Sequence, residues 1–100
     1  MAHRISIRPR ARLDLLGIYD FIADFAGAES GRRIVAGIEA QCRKLSIFPE
    51  RGTPHPELMA GLRTIPHGKA VIAYVVEARQ VVIVRVRYGG QQLEPADFGR

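Results

Sequence analysis

Apolar and polar positions alternate at the start of the chain. Ile5 and Ile7 stand between Arg4, Ser6 and Arg8, which predicts a short strand with one buried face. Pro9 closes the strand and is tolerated in the first turn of a helix. From Arg10 to Phe25 the period lengthens. Ala11, Leu15, Ile18, Tyr19, Ile22 and Phe25 recur mostly at three- and four-residue steps, forming one helical face. Asp14, Asp20 and Asp24 fall largely on the other face. Ala26-Gly27-Ala28 interrupts the pattern. Ile34, Val35, Ile38, Cys42 and Leu45 then stripe a second helix, from about Glu29 to Ile47. Two helices joined by a short glycine-containing loop form an antiparallel αα-hairpin.

The next stretch, Phe48-Pro49-Glu50-Arg51-Gly52-Thr53-Pro54-His55-Pro56, has three prolines and a glycine in nine residues and reads as a loop. The last third is β. Leu62 to Ile65 reads as a short strand and Pro66-His67-Gly68 as a turn. Ala70 to Glu77 and Val81 to Tyr88 are β-branched and aromatic runs joined across Ala78-Arg79-Gln80 as a hairpin. Simple alternation puts Val82, Val84, Val86 and Tyr88 on one face of the last strand and Val81, Ile83, Arg85 and Arg87 on the other. The order β-α-α-β-β-β predicts one α+β domain over residues 1–100, with a helical hairpin packed on a mostly antiparallel sheet. The tail, Gly89 to Arg100, is weakly patterned and reads as a frayed or very short helical end.

Charge changes this picture. Fifteen Lys and Arg against ten Asp and Glu give a net charge of +5. Thirteen of the fifteen are arginine, which suits bidentate pairing with carboxylates or phosphates. A polyanionic partner is therefore expected, either nucleic acid or an acidic protein segment. Cys42 is the lone cysteine. It leaves no internal disulfide and no multi-cysteine metal site, and it suits a reducing compartment. It falls on the apolar stripe, where it reads as buried and inert. His3 and His55 lack partners at metal-ligand spacing, so neither a metal nor a cofactor is implied. No apolar run approaches the ~20 residues that span a bilayer, and the basic N-terminus has no apolar core region of a secretory signal. A cytoplasmic location is expected.

The wording of several segments goes further. Ala11-Arg12-Leu13-Asp14-Leu15-Leu16-Gly17-Ile18-Tyr19-Asp20-Phe21-Ile22-Ala23 resembles the first helix of ParE-type toxins. Leu45-Ser46-Ile47-Phe48-Pro49-Glu50-Arg51-Gly52 is similar to that family's exit from the second helix. Glu57-Leu58, Gly61-Leu62-Arg63, Val71 to Val76, and Val82 to Gly89 resemble its strands. The resemblance runs in register from about Ile5 to Gly90. It identifies the chain with the RelE/ParE superfamily of type II toxin–antitoxin systems, on the ParE-like, plasmid-stabilisation branch. It implies a toxin held in a hetero-oligomer by a small ParD-like antitoxin with an acidic C-terminal segment. It also implies DNA gyrase as the target and no catalytic residues.

The RelE-like alternative is a ribosome-dependent messenger RNA endoribonuclease. That chemistry needs a base, an acid, and cations for the developing phosphorane charge. Arg63, Arg87 and Tyr88 are the candidates here. The positions after the last strand read Gly90-Gln91-Gln92, where RNA-cutting relatives carry basic residues, and the tail has no tyrosine. His55 is the one candidate base in its loop. A third reading is a non-toxic relative that still binds an antitoxin. Arg63, Arg85, Arg87 and Tyr88 are the expected antitoxin- or target-binding residues; Arg63 has a purely structural alternative, pairing with Glu57 or Glu77.

Overall fold

The computed structural model describes residues 2–99. Strand β1 (Arg4–Ile7) leads into helix α1 (Pro9–Ala26) and helix α2 (Ala28–Lys44). Strands β2 (Thr53–Pro54), β3 (Leu62–His67), β4 (Ala70–Val76) and β5 (Gln80–Tyr88) follow. Short 3₁₀ turns occupy Pro49–Arg51 and Pro95–Phe98. The strands form one sheet in the order β1-β5-β4-β3-β2. The predicted three-stranded meander is its centre. β1 extends it in parallel alongside β5, and the two residues of β2 extend it antiparallel to β3.

Local chemistry explains the helices. Pro9 sits in the first turn of α1, with a fixed φ suited to helix entry. Gly27 ends α1 and starts α2, at a φ of 96° that a residue with a Cβ rarely adopts. Its N–H donates to Ala23 O and its carbonyl accepts from Gly31 N, so one residue turns the chain between two antiparallel helices. The buried stripes are Ala11, Leu15, Ile18 and Ile22 on α1, and Ile38 and Cys42 on α2. They pack on Ile72, Tyr74, Ile83 and Val86 to form the main core. Phe25, placed on that stripe by periodicity, is instead exposed.

Three expectations are corrected. First, β4 and β5 do not pair with uniform alternation. Ala73 faces Arg85 while Tyr74 faces Ile83, so Val84 is an extra residue, a β-bulge. Alternation slips by one there. Val81, Ile83, Val86 and Tyr88 all point to the helices, whereas Val82 and Val84 join a second cluster on the outer face. Second, β3 runs on through Pro66 and His67, and the turn is only Gly68-Lys69. Third, the proline-rich loop has regular structure, because side chains from the sheet pin it. The tail carries the expected very short helical end, over Pro95–Phe98, and Leu93 and Phe98 pack on the outer cluster with Leu58, Met59 and Val84. At the start of that 3₁₀ turn the Glu94 N–H donates to the Asp97 carboxylate and the Asp97 N–H to the Glu94 carbonyl.

Candidate functional site

Asp14 does not face solvent. β1 ends at Ile7, opposite Ile83, so the far half of β5 has no strand on that side. α1 runs along that open edge. The Asp14 carboxylate accepts the Val86 N–H at 2.8 Å and takes the Arg85 guanidinium in a two-pronged pair at 2.8 and 3.0 Å. Arg85 also donates to the Asp97 carbonyl at 3.1 Å. Arg87 pairs with the Asp97 carboxylate. Only 5% of the Arg85 side chain is exposed, so its donors are committed inside the protein. The hydrogen bonds that Arg85 donates to Asp14 raise its pKa above its ordinary value, against the opposing effect of burial. Burial alone would raise the Asp97 carboxyl. The Glu94 N–H and the charges of Arg87 and Arg85 outweigh it and hold the group below its usual value. One buried network thus ties α1, β5 and the tail together.

Arg63 lies on the opposite face of the sheet. It pairs in register with Tyr74, on the helix side, whereas Arg87 pairs with Val71 on the outer side. Its guanidinium donates to the carbonyls of Glu50 and Gly52, each at 2.8 Å. It therefore pairs with neither Glu57 nor Glu77. The buried Tyr74 hydroxyl donates to Pro49 O at 2.7 Å and accepts from Gly52 N at 3.0 Å. Arg51 donates to Lys44 O, a carbonyl at the end of α2 that also accepts from Ile47 N. These bonds give the proline-rich loop its shape. Tyr88 points to the helix side, level with Ala70 and His67. The candidate trio Arg63, Arg87 and Tyr88 is therefore not brought together. Arg63 lies two strands and about four residues from Tyr88, roughly 15 Å, and across the sheet from Arg87. His55 bonds the Glu57 carboxylate at 2.9 Å in an exposed pair. His67 is half-buried against α2, near Gly37.

A cleft of about 410 Å³ opens where α1 meets the end of β5. Leu13, Gly17 and Phe21 line one wall at four-residue steps; Val86, Arg87 and Tyr88 line the other. The small Gly17 lets the cleft reach the helix backbone. Beyond it α1 exposes Leu16 and Phe25, and the Phe21 and Phe25 rings meet edge to face at 5.2 Å. Large apolar side chains more than half exposed along one helix mark an association surface. Arg87 Nε is buried at this wall without a hydrogen-bond partner. Periodicity finds the buried stripe of α1 but passes over this second one. Its signal is the excess of apolar residues, Leu13, Leu16 and Phe21, outside the core-facing positions.

The family model described as the ParE toxin of the type II toxin–antitoxin system parDE matches residues 5–93. The chain belongs to that family. The match takes in every strand, both helices and the cleft. Two solved structures share the fold. The chromosomal ParDE toxin–antitoxin system from P. aeruginosa superposes with a TM-score of 0.77 at 22% identity, over 87% of this chain and 96% of that one. The toxin–antitoxin complex RelBE2 from Mycobacterium tuberculosis superposes with a TM-score of 0.72 at 23% identity, over 91% and 95%. No curated protein matches in sequence.

Proposed function

We propose that this ParE-family toxin acts by binding, with DNA gyrase as its target, and that a ParD-like antitoxin neutralises it in the cytoplasm. The observation that carries this reading is the separation of Arg63 from Arg87 and Tyr88, set beside an open cleft with exposed apolar side chains. A phosphoryl-transfer site needs its acid, base and cations within reach of one phosphate. Arg63 and Arg87 lie on opposite faces of the sheet, and Arg85 and Arg63 hold the fold. The cleft offers Leu13, Phe21 and Tyr88 to an apolar helix or strand, with the partly exposed Arg87, already paired with Asp97, on the same wall. An amphipathic, acidic antitoxin segment fits that combination.

Two experiments test the reading. Phe21→Glu places a charge in the cleft and is expected to abolish co-purification with the antitoxin encoded beside this gene, while the protein stays folded. Retained capture would remove the cleft from the antitoxin site. Purified toxin is expected to trap gyrase–DNA cleavage complexes; their absence at saturating toxin rejects gyrase. In the ribonuclease alternative, primer extension in a translating extract would show new ends at A-site codons.

A further inference from the structure

The positive charge of this protein is concentrated in one place. Residues 2–13 hold Arg4, Arg8, Arg10 and Arg12 and no carboxylate. The other eleven cations nearly balance the ten Asp and Glu, so four of the five net charges reside in this short stretch. All four side chains are exposed, and none makes an ion pair among the described residues. Arg79 joins them: it lines a hollow with Arg4 where the β4–β5 hairpin meets β1. Arg8 and Arg10 line a second hollow at the other end of β1. The carboxylates nearest the patch are already engaged. Asp97, in that second hollow, is held by Arg87 and Arg85, Asp14 by Arg85, and Glu77 by the Gln80 side chain.

Stability gives no reason for this arrangement. A charge on an edge strand discourages strand pairing between molecules, which accounts for Arg4. It does not account for Arg10 and Arg12, which lie on the helix. A helix start favours acidic residues and a capping side chain. α1 has no acidic residue in its first turn, and Arg8 makes no side-chain cap. Repulsion among Arg8, Arg10 and Arg12 adds to that cost. Local preferences broken without compensation mark functional surfaces.

We infer that Arg4, Arg8, Arg10, Arg12 and Arg79 form a docking surface for the phosphodiester backbone of a nucleic acid. The surface follows β1 for roughly 13 Å from Arg4 to Arg8 and continues onto α1. Duplex DNA presents about one charge per 1.7 Å of axis, so this length faces several phosphates. An acidic peptide fits less well. The large exposed apolar side chains that would anchor it border neither hollow. The surface is separate from the α1–β5 cleft, and the inference holds whether or not gyrase is the target.

The test is fluorescence anisotropy of the purified full-length toxin with a labelled 20-base-pair duplex, an RNA of equal length, and polyglutamate, from 50 to 200 mM salt. Binding of nucleic acid is expected, with log K falling by about 3.6–4.5 per decade of salt for four to five phosphates. DNA and RNA distinguish the source of the backbone. The combined variant Arg8→Gln, Arg10→Gln, Arg12→Gln should reduce that slope by about 2.7. Arg33→Gln with Arg43→Gln, exposed on α2, should leave it unchanged. Circular dichroism confirms that each variant is folded. No binding at 50 mM salt, an unchanged slope in the triple variant, or tighter binding of polyglutamate overturns the inference.

Discussion

Replacing Asp14 with alanine perturbs the fold at a defined point. The Asp14 carboxylate is the two-pronged partner of Arg85 and the acceptor for the Val86 N–H. Removing it strands a guanidinium whose side chain is 5% exposed, together with a backbone donor on an open strand edge. Breaking one side of a buried ion pair costs about 3–5 kcal/mol. Asp97 still reaches Arg85, which points to the lower end, about 3 kcal/mol. For a domain of this size each kcal/mol moves the melting temperature by roughly 4–8 °C, so a fall of about 12–24 °C is expected. Urea and thermal denaturation followed by far-ultraviolet circular dichroism measure it. The double variant Asp14→Ala, Arg85→Met is the sharper test. It removes the stranded charge and should be more stable than Asp14→Ala alone. A loss below about 1 kcal/mol in Asp14→Ala, or strictly additive losses in the double variant, would refute the claim that this pair locks α1 to β5.

Other consequences are as specific. A Cβ on Gly52 would lie 2.4 Å from the Tyr74 hydroxyl and 2.8 Å from Thr64 O, so Gly52→Ala should unseat the loop from Arg63 and Tyr74 and cost more than about 2 kcal/mol in urea denaturation. Tyr74→Phe leaves Gly52 N and Pro49 O without their buried partner and should cost about 1–3 kcal/mol; no change in melting would contradict the pinning role. Asp97 has a folded pKa below its ordinary 3.8, so its contribution is present above about pH 4 and is lost as pH falls through the folded value. The melting temperature should therefore drop more steeply below pH 4 in the wild type than in Asp97→Asn. Burial pushes the Cys42 thiol up to about 11, and iodoacetamide at pH 8 should label it only after unfolding.

The helical hairpin and the central strands were legible because their signals are local. A 3.6-residue stripe, a glycine between two helices and runs of β-branched residues each speak for their own segment. The parallel partner of β1 was not. Arg4 pairs with Gln80 across the whole helical hairpin, and nothing in Arg4-Ile5-Ser6-Ile7 names that partner. The bulge at Val84 was equally hidden, since Val81 to Tyr88 reads as one uninterrupted strand. The slip re-aims Arg85 toward an aspartate 71 positions away. For the same reason the candidate site was half visible. Residue types flagged Arg63, Arg85, Arg87 and Tyr88, but only the sheet's two faces separate them into loop anchor, buried lock and cleft wall. The structure in the proline-rich loop comes from Arg63 and Tyr74, which lie outside it.

The proposed mode of action is contact with gyrase and not cleavage of RNA. One translating extract supplied with gyrase and relaxed plasmid reads both outcomes as purified toxin is added. Supercoiling is expected to fall and saturate, antitoxin to restore it, and messenger RNA to stay intact. Undiminished supercoiling, with new messenger RNA ends at A-site codons from toxin far below the ribosome concentration, would contradict it.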